Sequence, residues 1–369
     1  AEAASGNYDA AIALYTELAG YADSDALCRA SRYEKAVAAQ EAGDYAGAMA
    51  LFADAGQYAD SMARLRECCK QQGISIYYFS ADAVNAGVDT GYAKQDTIRG
   101  DDKHFGWRLG RFFLTGFTRV TADENQQPVF IKTLGDSVTL WFDLEQNIDA
   151  LNGNAQLSLA ADANGYDQQF GIPKTNFGRG TLIVRHTDYQ NAKNEPAVYT
   201  DYLLAKGTTG ANTRIVLHEE GDYEVALDYE VQDGELTHIT SKFGNYRIFL
   251  RFSIRNGNCM VYPFDLLTGA ELQNTAVAEA GFSLDLARSR YLDINVRRAV
   301  LVETANGVIE DERFNRPAKD GDRYTQEGIY TISVSNRYTG ESTTKTIFVG
   351  SQELLETYVR NGFSLERLK

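Results

Sequence analysis

The chain has 369 residues, with 51 acidic against 36 basic side chains and a formal net charge of -15. That acidity works against nucleic-acid partners, and the basic residues form no compensating face, since Arg297-Arg298 and Arg247, Arg251 and Arg255 are spread over strand-like segments. No stretch is apolar for long enough to cross a bilayer, and the length predicts about two to four domains with ample core material.

Residues 1–72 read as helical and repeated. Gly6-Asn7-Tyr8 aligns with Gly43-Asp44-Tyr45, Ala11 with Ala48, Tyr15 with Phe52, and Tyr21-Ala22-Asp23-Ser24 with Tyr58-Ala59-Asp60-Ser61, all at an offset of 37. Small Gly and Ala residues let antiparallel helices approach, and the aromatic residues fill the groove between them. Asp23-Ser24 and Asp60-Ser61 are expected to cap a following helix. The pattern Gly-x-Tyr-x-x-Ala-x-x-x-aromatic is similar to the turn and second helix of a tetratricopeptide repeat. The first repeat would have its opening helix before Ala1, which leads to the expectation that an upstream piece has been removed. Two repeats suit a spacer or docking element better than a peptide groove.

At Gly73 the periodicity changes. Residues 73–127 read as strands, including Ile74–Tyr78, Trp107–Leu114 and Phe117–Val120, interrupted by turn signals. They form either a small β-domain or extra strands of the neighbouring sandwich. Residues 128–260 carry Val129–Ile131, Val138–Phe142, Thr181–Val184, Thr213–Leu217 and Tyr246–Phe252 as strands. Residues 261–350 carry Val261–Phe264, Tyr291–Val296, Ala299–Val302 and Thr344–Val349, and residues 351–369 hold a short helix after Ser351.

Two segments echo one another, Glu220-Gly221-Asp222-Tyr223 and Glu327-Gly328-Ile329-Tyr330. In each, an acid and a glycine lead into a tyrosine and then into alternating apolar residues, which marks a strand with one buried face. A tyrosine there resembles the tyrosine corner of immunoglobulin-like sandwiches, with its ring in the core and its hydroxyl on backbone just upstream. The stretch from Phe314-Asn315-Arg316-Pro317 through Gly328–Ile332 to Ile347–Gly350 resembles the end of a bacterial immunoglobulin-like repeat. Together with the helical repeats it resembles uncharacterised membrane-anchored surface proteins of Gram-positive bacteria. The fold class expected is a small tetratricopeptide-like helical part followed by mainly-β immunoglobulin-like sandwiches at 128–260 and 261–350. The resemblance implies an extracytoplasmic location behind an N-terminal anchor.

Chemistry-bearing motifs are sparse. His104, His186, His218 and His238 show no metal-pair spacing, and His186 and His218 fall in strand-like runs. Cys28, Cys68, Cys69 and Cys259 lack CxxC pairs and read as buried thiols. Glu219-Glu220 and Asp311-Glu312 are adjacent acids whose side chains diverge on a strand or lie in turns and read as solvated charges; a glycosidase-type enzyme, which needs two acids across a cleft that spacing does not reveal, is the third reading. The hard-oxygen string Asp162, Asn164 and Asp167 around Gly165 is a Ca²⁺ candidate set against an ordinary Asx-rich turn. Trp107, Trp141, Tyr166 and Tyr189 are candidates for stacking on sugar rings, with core packing as the competing role. The expectation is therefore a non-enzymatic display or interaction module with no cofactor, whose partner is a protein or, alternatively, a glycan.

Overall fold

A computed structural model of the chain describes residues 7–18, 21, 23–55, 58–80, 110–144, 157–158, 166–167, 172–173, 182–199, 214–233, 242–302 and 307–363. Four helices come first: α1 (Tyr8–Glu17), α2 (Ser24–Glu41), α3 (Tyr45–Ala55) and α4 (Ser61–Gln71). Gly43, with φ of 81°, makes the turn between α2 and α3. Asp23 and Asp60 precede their helices, but neither carboxylate caps a backbone N–H. The buried serines act instead: Ser24 Oγ donates to the Leu18 carbonyl at 2.6 Å and Ser61 Oγ to the Tyr58 carbonyl at 2.5 Å. The repeated dipeptide thus ties each helix to the turn before it through Ser, in place of the expected side-chain cap. Tyr33 packs on Phe52 and Tyr58, with ring centroids 6.0 and 5.5 Å away, which joins α2 to the aromatic positions of the repeat.

Among the described residues thirteen strands follow in the same compact unit, residues 1–254. They are β1 (Tyr77–Ser80), β2 (Gly110–Thr115), β3 (Arg119–Ala122), β4 (Pro128–Lys132), β5 (Val138–Leu144), β6 (Leu157–Ser158) and β7 (Tyr166–Asp167). The series continues with β8 (Ile172–Pro173), β9 (Leu182–Thr187), β10 (Ala197–Tyr199), β11 (Ile215–Leu217), β12 (Gly221–Asp233) and β13 (Lys242–Asn256), the last running two residues past the unit. One sheet has the order β1-β2-β5-β11 and the other β10-β9-β12-β13-β4-β3, with β6 also on β12. β1 and β2 from the 73–127 segment therefore join the first sheet, and β3 joins the second. The two sheets face one another: Tyr77 of β1 meets Phe130 of β4 edge-on at 5.0 Å, and Phe130 meets Phe252 at 5.7 Å.

Residues 255–369 form the second compact unit. It contains β14 (Pro263–Asp265), β15 (Ala276–Ala278), β16 (Phe282–Leu284), β17 (Asp293–Val302), β18 (Gly307–Pro317), β19 (Arg323–Tyr324), β20 (Gly328–Asn336), β21 (Glu341–Val349) and α5 (Gln352–Arg360). A three-stranded sheet β14-β16-β19 lies against a five-stranded sheet β15-β21-β20-β17-β18. Phe282 and Tyr324 of the first meet Tyr330 of the second at 5.4 and 5.6 Å. The two strands read separately at 291–296 and 299–302 are one strand, β17, whose register against β18 shifts between Val296 and Arg298. That bulge interrupts the alternation and makes one strand look like two. Ser351 caps α5, its Oγ accepting from Leu354 N at 3.2 Å, and Leu355 and Tyr358 bury against Ile329 and Phe348.

Both tyrosine corners form. Tyr223 is 4% exposed and donates to the Glu219 carbonyl at 2.8 Å; Tyr330 is fully buried and donates to the Gln326 carbonyl at 2.9 Å. The glycine two residues earlier is required by close approach. Gly328 has φ of 137°, and a β-carbon there would sit 2.7 Å from the Ala299 carbonyl oxygen. At Gly221, with φ of 153°, a β-carbon would collide with the His186 ring. A small helical part followed by mainly-β sandwiches of immunoglobulin-like type is the fold class of the molecule.

Candidate functional site

The sheet β1-β2-β5-β11 is covered on both sides, and the second cover makes a cleft. In β5, Val138 and Leu140 are fully buried, whereas Thr139 and Trp141 alternate onto the opposite face. On that face Phe113 of β2 and Trp141 join a core cluster with Ala36, Phe52, Leu65, Cys68 and Cys69 of the helices. Arg66 of α4 lies over the Phe113 ring at 5.3 Å. Double-sided burial of one sheet is why Leu140 and Trp141, adjacent and on opposite faces, are both apolar.

Where the helices and this sheet diverge, a cleft of about 220 Å³ remains. Ala46, Met49, Ala50 and Ala53 form one wall, at the spacing that places them on a single face of α3. The opposite face of α3 buries Ala48, Phe52 and Ala55. Leu65 and Cys69, four residues apart on α4, make the second wall. Thr115, Thr139 and Trp141 line the strand side; Thr115 and Thr139 are directly paired across β2 and β5. Arg214 completes the lining from the residue before β11, whose Ile215 pairs with Leu140.

Trp141 is 5% exposed and stacks on Phe113 with centroids 5.8 Å apart and planes at 20°. Its Nε1–H is buried without a hydrogen-bond partner among the described residues. A buried indole N–H without an acceptor costs about 1–3 kcal/mol. Burial, with the adjacent Cys68 adding to it, pushes the Cys69 thiol up to about 11, so it is protonated and unreactive at neutral pH. Burial also raises the Cys68 thiol.

The helices framing the cleft are fixed by a polar cluster. Tyr33 Oη donates to Asp60 Oδ1 at 2.5 Å, Arg64 Nε donates to both Asp60 oxygens at 3.1 Å, and Arg64 reaches Gln40 at 2.9 Å. Burial alone would raise the Asp60 carboxyl, but the bonds from Tyr33 and Arg64 outweigh it and hold the carboxyl below its usual range.

Of the residues singled out from sequence, Trp141 is in this cleft, with one ring face against Phe113. Tyr189 is half-buried in the turn after β9, where its hydroxyl accepts from Gln190 at 3.0 Å. Tyr166 and Asp167 form β7, paired with β8, with only their backbone described. Trp107, Asp162 and Asn164 lie outside the described residues, as do His104 and His238. Among the described residues no group of three or more His, Cys, Asp or Glu is arranged to hold a metal ion.

His186 is a satisfied sheet residue. Its Nε2 meets the Glu220 carbonyl at 2.7 Å, which assigns the proton to Nε2 and leaves Nδ1 to accept from the Asn194 amide at 2.7 Å. His218 falls just beyond β11 and is exposed, so the strand expected there is shorter than its sequence run. Arg214, Thr115, Thr139 and Cys69 were not singled out as site residues, because no local motif links positions that only the tertiary fold brings together.

No protein-family model and no curated protein sequence matches the chain. Among solved structures, the chain is similar to Sidekick-1 immunoglobulin domains 1-4, at 11% identity, covering 75% of this chain and 68% of that one, with a TM-score of 0.16. The N-terminal four immunoglobulin domains of Dscam1 isoform 6.44 match at 9% identity, covering 75% and 70%, with a TM-score of 0.14. Likeness at these TM-scores carries no argument, and the architecture rests on strand pairing and the two corners.

Proposed function

We propose that the chain is a non-enzymatic interaction module whose binding site is the cleft between α3, α4 and the β2–β5 strands. The observation that supports this most directly is the cleft itself, in which Trp141 and the apolar faces of α3 and α4 meet a few polar groups, Thr115, Thr139 and Arg214. Resemblance in sequence to surface proteins of Gram-positive bacteria supports display outside the membrane, and no described helix is long and apolar enough to cross one. Rigid sandwiches then serve as the scaffold that presents the site.

Titrating the full chain with candidate ligands while following tryptophan emission and heat tests the reading. Saturable binding that Trp141→Phe weakens is expected. Binding that Trp141→Phe leaves untouched would move the site elsewhere. A glycan partner is the second reading, supported by Tyr189 standing half-exposed in the turn after β9. A glycan array followed by Tyr189→Ala on any hit tests it, and a hit unaffected by that change would remove Tyr189 from the account.

A further inference from the structure

Leu14 and Leu18, four residues apart on one face of α1, are each 50% exposed, and Tyr21 in the turn that follows is 75% exposed. We infer that this face is the seat of one further helix of the α2 kind, joined to α1 through Gly6-Asn7. That helix sets a tyrosine between Tyr15 and Tyr21, with its hydroxyl on Asp23.

The second repeat shows what covers such a face. At the offset of 37, α1 corresponds to α3, and Leu14, Tyr15, Leu18, Tyr21 and Asp23 correspond to Leu51, Phe52, Ala55, Tyr58 and Asp60. There α2 lies on the surface: Tyr33 sits against Phe52 and Tyr58, its Oη donates to Asp60 at 2.5 Å, and Phe52 and Ala55 are fully buried. The first repeat carries the matching surface without that cover. Tyr15 is only half-buried, Leu18 stands open where Ala55 is sealed, and Tyr21 and Asp23 have no side-chain partner among the described residues. Leu27 stands where Arg64 grips Asp60, so a donor for Asp23 has to arrive with the incoming helix.

Two further observations narrow the occupant. Leu14, Leu18, Tyr21 and the 45%-exposed Leu27 fall within fourteen residues, whereas the other exposed large apolar side chains among the described residues are spread from Leu134 to Val359. Clustering of that kind marks a contact surface, where single exposed residues do not. The sequence also holds the connection. Gly6-Asn7-Tyr8 repeats Gly43-Asp44-Tyr45, in which Gly43 turns α2 into α3, so the same turn leads a helix of the same chain into α1. A helix from a separate molecule has no use for that turn.

The test compares the full chain with an extended form in which Ser24–Ala42 is copied ahead of Gly6 in place of residues 1–5, the copied Cys28 being changed to Ser. Hydroxyl-radical footprinting reads Tyr21, and circular dichroism follows the melting of the helical part. In the starting chain Tyr21 should oxidise faster than Tyr58. In the extended chain it should slow to the level of Tyr58, with the helical melting midpoint raised by about 2–4 °C. Changing the copied Tyr33 to Ala should abolish both effects, and Asp23→Ala should remove most of the gain in the extended chain while leaving the starting chain unchanged. Leu18→Ala, made in both chains, restores the small residue of the second repeat and relieves any crowding in the groove. If Tyr21 stays open in the extended chain with and without Leu18→Ala, the inference fails. It fails equally if Tyr21 is already protected in the monomeric starting chain. Self-association of the starting chain that Leu18→Glu abolishes in sedimentation would assign the face to a second copy and overturn the helix. Protection that survives loss of the copied tyrosine would overturn the tyrosine–Asp23 contact.

Discussion

Tyr223 and Tyr330 do the same work with the same atoms: a buried ring and a hydroxyl donating to the carbonyl four residues upstream. Replacing either with Phe removes one bond and strands a carbonyl, which should cost about 1–2 kcal/mol in a denaturant titration. Gly328→Ala should cost more, about 2 kcal/mol or above, since the added carbon meets the Ala299 carbonyl at an unfavourable φ. A change below about 0.5 kcal/mol would contradict the close approach. Asp311 receives bonds from Arg313 and Arg298, the Arg313 bond first in weight, and its carboxyl is held down at about 2. A depressed carboxyl stabilises the fold fully above its unfolded value of roughly 3.9 and loses that contribution as pH falls toward the folded value. Asp311→Asn should therefore lower stability at pH 7 and flatten its dependence between about pH 4 and 2; an unchanged acid limb would rule the pairing out. At this scale much was legible, because Glu-Gly-x-Tyr announces both the turn and the anchor. What stayed hidden was the reason for the glycine, which is the arrival of β17 at one corner and of His186 at the other.

For the elements, the helical repeat was readable because its contacts are local: Tyr33 on Phe52, and serine on the preceding turn. Phe52 is fully buried at the junction of α2, α3 and α4, and Phe52→Ala should cost about 3–5 kcal/mol locally. Cys68 and Cys69 give the readout. Both are buried with raised thiol pKa values, so a thiol reagent at pH 7 should label them slowly in the native chain and far faster in the Phe52→Ala variant. Rapid labelling of the native chain would mean that the α4 face is open. The membership of β1 and β2 was not legible in the same way. β1 pairs with β2 and β2 with β5, and alternation within a strand identifies a buried face without naming what covers it. Trp141 illustrates the limit. Its alternation with Leu140 and Phe142 points to a strand, but only the helices, some seventy residues earlier, decide that both faces are covered.

The whole molecule carries a strong excess of acidic residues, while the described residues that line the cleft beside α3 and α4 include no acid. The chain should leave fluorescence polarisation of labelled duplex DNA unchanged at about 100 mM salt, as phosphate contacts need a basic face. Saturable DNA binding would mean that the basic residues converge after all. That expectation comes from composition alone, whereas the cleft needed four elements from three regions of the chain.

The strand order of the larger sheet also has a consequence in time. β4 pairs with β3 immediately, yet its other neighbour, β13, begins more than a hundred residues later. At ordinary ribosomal rates of about 5–20 residues per second, that edge waits roughly 5–20 s for its partner. Throughout the wait a growing chain presents Val129, Phe130 and Ile131, all of them buried at the end, beside an open row of backbone donors and acceptors. The nascent protein is thus most exposed to mispairing after the β3–β4 hairpin emerges and before β13 does, which is the interval in which a chaperone has something to hold.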